Sequence, residues 1–173
     1  VADAFHANFT EHDDIGAAVC VYHRGRPVVD LWGGDADREG GRPWEHDTIQ
    51  LVFSTTKGMA ATCVHMLVER GELDLEAPIA TYWPEFAAAG KADIPLHWVL
   101  SHQAGMAAVT AEVTMDDVLG WDGIVSAIAE QAPVWEPGPA HGYHARTYGW
   151  ILGVVVRRVT GHSLGTYFAE EIA

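Results

Sequence analysis

The sequence predicts an α+β protein that combines an antiparallel sheet layer with a mainly helical layer. Three observations carry that expectation. Two stretches of alternating and β-branched character, residues 17–23 and 28–32, flank the turn Arg24-Gly25-Arg26-Pro27, the pattern of a hairpin. From residue 54 onward, apolar residues fall into helix-like runs between capping signals. The 173 residues are 49% apolar and include seven Trp, enough for one sizeable core.

The elements follow in order. Residues 2–11 read as an opening helix with Phe5 and Phe9 one turn apart. The hairpin comes next. Thr48-Ile49-Gln50-Leu51-Val52 then reads as a third strand, β-branched and alternating. Three strands make an incomplete sheet with an unpaired edge, a liability for association. Residues 59–70 form a mostly apolar, hence buried, helix, and Gly71 ends it. Loops are expected at 87–93 and 131–142. Thr114 caps a helix with Asp116 and Asp117 in its first turn, and 121–131 gives another short helix. The chain divides into residues 1–53, with the opening helix and strands, and 54–173, mainly helical. Neither repeats nor low-complexity linkers interrupt it.

Ten basic against 24 acidic residues give a net charge of −14, which opposes binding to nucleic acid or anionic membranes. No apolar run approaches the ~18 residues of a membrane span. Cys20 on a strand and Cys63 in a helix read as buried thiols rather than a disulfide, and a cytoplasmic setting is the default. The ten His include the pairs His97/His102 and His141/His144, but none matches a His-Glu-x-x-His zinc pattern. No metal and no cofactor are expected.

The chemistry concentrates at Phe53-Ser54-Thr55-Thr56-Lys57-Gly58. A Ser and a Lys three apart on a helix share a face, so nucleophile and base meet without a His. Ser54 falls at the start of the buried helix, where unpaired N–H groups and the helix dipole favour a developing oxyanion. Burial there would make Lys57 a better base. The competing reading is a capping Ser beside a solvated Lys.

Ser-x-x-Lys resembles the acylation motif of penicillin-binding proteins and serine β-lactamases. Three further stretches extend the likeness. Gly71 to Phe86 is similar to the segment after the nucleophile helix of β-lactamase-like serine hydrolases. Val99-Leu100-Ser101-His102-Gln103-Ala104-Gly105 is similar to their Leu-Leu-Ser/Thr-His-x-x-Gly run. Glu136 to Ala145 resembles the turn that carries their Tyr-x-Asn motif. The likeness is to family VIII carboxylesterases, relatives of class C β-lactamases. It implies a β-lactamase/transpeptidase-like fold, Ser54 as nucleophile, Lys57 as its partner in deprotonation and Tyr143 as the second member of the base system. A free phenol titrates near 10, so Tyr143 needs a cation such as Lys57 beside it. His144 is a candidate substrate contact.

Two departures narrow the expectation. The Asn of Tyr-x-Asn is Ala145 here. An alanine cannot hold the acyl amide of a lactam or peptide, so simple esters gain weight. The family's third motif, Lys/His/Trp-x-Gly on a late strand, has no counterpart after Tyr143, and relatives continue for about as long again. A C-terminal half or a second chain is therefore expected to complete the sheet and supply the second oxyanion donor, a group whose loss costs ~10²–10³ in rate.

Gly161-His162-Ser163-Leu164-Gly165 also matches the Gly-x-Ser-x-Gly elbow of α/β-hydrolases. No His follows Ser163, as that fold's order requires. Residues 147–159 read more simply as a helix closed by Gly161, with Ser163 capping the next. The sequence thus points to a serine hydrolase acting on small carboxylic esters through an acyl-enzyme. The rivals are a β-lactamase or D-peptidase, an inactive relative or dependent fragment, and a lipase using Ser163.

Overall fold

The opening helix forms as its spacing requires. In the computed structural model, which describes residues 1–173, α1 spans Ala2–Glu11 and the Phe5 and Phe9 rings meet edge to face at 5.2 Å. They lie against the second strand, where a side chain at Gly33 would come within 3.4 Å of Phe9. Strand β1 (Gly16–His23) pairs antiparallel with β2 (Arg26–Asp37), from Gly16 opposite Gly34 to His23 opposite Arg26. Arg24 and Gly25 both take positive φ, 50° and 76°, the two-residue turn whose twist suits a hairpin.

The third strand is not where the sequence places it. β3 is the two-residue segment Arg42–Pro43, paired with the far end of β2, and the sheet order is β1-β2-β3. Residues 48–52 form no strand, and Ile49 is 94% exposed. β-propensity measures fit to a pleated, half-buried surface, and this segment has no neighbouring strand to supply one. Cys20 also departs from expectation. It is exposed, because β1 leaves most of its residues open to solvent.

These elements belong to one compact unit, Val1–Leu51; the second is Val52–Ala173. Its core is helical. α2 (Thr56–Glu69) buries Ala60, Cys63, Val64 and Leu67, one face at helical spacing. Two bonds close its end, from Gly71 N–H to the Val68 carbonyl (3.0 Å) and from Glu72 N–H to that of Leu67 (2.9 Å), with Gly71 at φ 75°. This paired closure needs a left-handed residue, which glycine adopts freely.

α6 (Thr147–Thr160) buries Ile151, Leu152 and Val154 to Val156 and packs on α2. Around them lie α3 (Leu96–Leu100), α4 (Met115–Gly120), α5 (Asp122–Glu130) and α7 (Leu164–Glu171). Thr114 and Asp117 form a reciprocal capping box at the start of α4. Ser163 caps α7 through a 3.0 Å bond from Thr166 N–H.

One core group has no apolar rationale. Lys91 is fully buried, and its ammonium donates to the carbonyls of Ala88 (2.8 Å), Ala129 (2.9 Å) and Gln131. It ties the turns at Pro84–Gly90 to the end of α5. Burial holds its pKa below the ordinary lysine value. No helix is long and apolar enough to cross a membrane.

Candidate active site

Ser54 sits in a single 3₁₀ turn, Phe53–Thr55, immediately before α2. The residue before it is strained. Phe53 takes φ 44°, a region that bulky side chains avoid and that tends to cluster at functional sites. The turn presents the Ser54 hydroxyl at the helix start, where unpaired N–H groups favour negative charge.

Lys57 follows on the first turn of α2, half-buried, and reaches back to Ser54. Its Nζ donates to Ser54 Oγ at 3.2 Å and to the Ala145 carbonyl at 2.7 Å. Tyr143 comes from the loop before α6, and its hydroxyl donates to Ser54 Oγ at 2.5 Å. Lys57 Nζ also stands 4.8 Å from the centre of the Tyr143 ring. Residues 54 and 57, one turn apart, and the sequence-distant 143 thus form one hydrogen-bonded cluster. Hydrogen bonding toward Lys57, then Ser54, pulls the Tyr143 phenol below its ordinary value, and the Lys57 charge adds to the effect. The lowered pKa favours the phenolate, and a phenolate beside a serine hydroxyl can take that serine's proton.

His144 lies elsewhere than its expected place at the substrate. It is fully buried, and both ring nitrogens are engaged. Nδ1 donates to the Gly142 carbonyl at 2.7 Å, and Nε2 accepts from Met106 N–H at 2.9 Å. No ring nitrogen is left for a ligand, so His144 shapes the loop that carries Tyr143.

His102 does more than fill space. Its carbonyl accepts from Gly142 N–H (3.0 Å) and its Nδ1 from His144 N–H (3.1 Å), bracketing Tyr143 on both sides. Its ring packs 5.0 Å from that of Tyr143. Burial, then the Lys57 charge, holds its pKa down, which keeps Nδ1 free to accept. The Ser-His-x-x-Gly run signalled this residue, but its target 42 positions away was not legible.

Ser163 is remote from the cluster in role as well as sequence. Its hydroxyl is spent on capping α7, and residues 151–156 are helix rather than the strand an elbow needs. No three His, Cys, Asp or Glu gather closely enough to hold a metal ion.

The family model described as Beta-lactamase matches residues 3–173. The chain belongs to the β-lactamase family. Within the family it is 43% identical to "Esterase/beta-lactamase LipL" of Mycobacterium tuberculosis, over all of this chain and 40% of that protein. It is 33% identical to "Esterase EstB" of Burkholderia gladioli, over 87% of this chain and 42% of the relative. Among solved structures it matches a family VIII carboxylesterase with a TM-score of 0.93 and 50% identity, over 99% of this chain and 47% of that one. A penicillin-binding protein homologue from Caulobacter crescentus matches at TM-score 0.94 and 39% identity, with 46% of that chain covered. The chain therefore spans less than half the length of these relatives. The α+β architecture with an incomplete three-stranded sheet is that of the matching part of the family fold.

Proposed function

We propose that the chain carries the acylation machinery of a serine carboxylesterase acting on small esters. The observation that carries the reading is the convergence of Lys57 and Tyr143 on Ser54 Oγ, at 3.2 and 2.5 Å. Tyr143, ionised to a phenolate beside Lys57, takes the Ser54 proton as Oγ attacks the ester carbonyl. The carbonyl π pair moves to oxygen, and the start of α2 favours the resulting charge. Collapse expels the alcohol, which takes the proton from Tyr143, and leaves an acyl group on Ser54. Water then attacks with Tyr143 again as base, and the acid departs as Ser54 regains a proton.

Two facts support esters over lactams or peptides. Ala145 offers no side-chain amide to an acyl amide. Three of the four relatives named above carry esterase names, one of them also a β-lactamase name, and the fourth is named a penicillin-binding protein homologue.

The test is labelling with a fluorophosphonate probe and peptide mass spectrometry, with Ser54→Ala as control. An adduct on Ser54 that the substitution abolishes is expected, together with hydrolysis of short para-nitrophenyl esters faster than opening of nitrocefin. An adduct on Ser163, or none at all, would refute the reading. Faster nitrocefin opening would favour the lactamase.

A further inference from the structure

Beside the cluster lies a cavity of about 300 Å³, at the small end for ligand sites. Its wall includes Val109, Val113, Val118, Ile124 and Trp150, with Ala145 and Arg146 on another side. Ala145 is the residue whose carbonyl holds Lys57 at 2.7 Å, and Lys57 in turn holds Ser54. The cavity is thus two hydrogen bonds from the nucleophile. Alanine keeps this corner free of a bulkier side chain.

Arg146 is the only charged residue of the wall, which is otherwise apolar except for Thr147. No carboxylate stands within 4.0 Å of Arg146; among the arginines only Arg38, Arg70 and Arg158 have such a partner. Arg146 also precedes the first residue of α6, a 14-residue helix whose N-terminal dipole favours an anion at the same end. A neutral acyl chain would strip water from the guanidinium and give nothing back. A chain ending in a carboxylate would cover the apolar wall and pair with Arg146 in a two-pronged, charge-assisted contact. The net charge of −14 opposes an anionic substrate at long range, but at physiological salt that field is screened beyond ~8 Å.

We propose that this cavity is an acyl subsite for half-esters of dicarboxylic acids, with the apolar wall taking the methylenes and Arg146 the terminal carboxylate. The inference rests on the esterase reading and names its substrate class.

The probes are mono-para-nitrophenyl adipate and its neutral counterpart, para-nitrophenyl hexanoate. In the unaltered protein the adipate half-ester is expected to have the higher kcat/KM by about tenfold, the scale of one charge-assisted hydrogen bond. That ratio should shrink as salt is raised. Arg146→Gln should bring it to about one, and Arg146→Lys should retain part of it. Equal ratios in the unaltered protein and Arg146→Gln, with hexanoate still turned over, would overturn the subsite and leave the esterase reading standing. Absence of turnover on both esters, with no fluorophosphonate adduct on Ser54, would overturn the esterase reading and the subsite with it.

Discussion

Tyr143→Phe removes one oxygen from the cluster and little else. The ring is half-exposed, so no core packing is lost, and the His102 ring still has an aromatic partner at 5.0 Å. What disappears is the hydroxyl 2.5 Å from Ser54 Oγ. A positioned acid–base group contributes about 10²–10⁴ in rate. Lys57 stays 3.2 Å from the nucleophile, but its Nζ is engaged as a donor to the Ala145 carbonyl as well. Lys57 therefore replaces the lost base poorly but not completely, and the expected loss is about 10²–10³ in kcat/KM. The assay is the second-order rate of fluorophosphonate labelling of Ser54, which reads nucleophile activation alone. The melting temperature should stay within a degree or two, since no buried group is disturbed. Labelling of Tyr143→Phe within about threefold of the unaltered protein would refute the assignment of Tyr143 as base.

Three further outcomes are expected. The labelling rate should rise with pH and level off below the ordinary phenol value, because Lys57 and Ser54 hold the Tyr143 phenol down; Lys57→Met should move that limb upward, and stopped-flow labelling across pH measures both. The same shift means the folded chain sheds the phenol proton before the unfolded chain does, so this group's contribution to stability grows as pH rises through that window. Lys91→Met should destabilise the protein by about 3 kcal/mol in urea unfolding, since it strands three buried carbonyls, partly offset by relief of a buried charge. Ser163→Ala should cost about 1 kcal/mol through the lost α7 cap and leave Ser54 labelling unchanged.

What was legible in the sequence was what neighbours dictate. Phe5 and Phe9, Gly71, Thr114 and Ser163 act within a turn or two of themselves, and each was readable from local spacing. Ser54 and Lys57 were readable for the same reason, being one turn apart. Tyr143 was reachable only through its resemblance to a family motif, since nothing local ties it to residue 54. Residues 48–52 failed as a strand because propensity cannot report whether a partner strand is present. Cys20 failed for a related reason, since a strand does not announce which of its faces is covered. The contacts of His144 and Lys91 were not legible because of distance. Their partners at Met106, Ala129 and Gln131 lie 38 to 40 positions away, and a lone polar residue does not disclose such a contact.

The seclusion of Lys91 has a practical consequence for handling the protein. The sequence contains only two lysines, Lys57 and Lys91. One is sealed in the core, and the other sits half-open beside Ser54. Among the side chains, amine-directed reagents, whether fluorescent dyes, crosslinkers or activated resins, therefore find Lys57. Coupling at Lys57 would modify a member of the Ser54 cluster, whereas the exposed thiol of Cys20, in the other unit, offers an attachment point that is no part of that cluster.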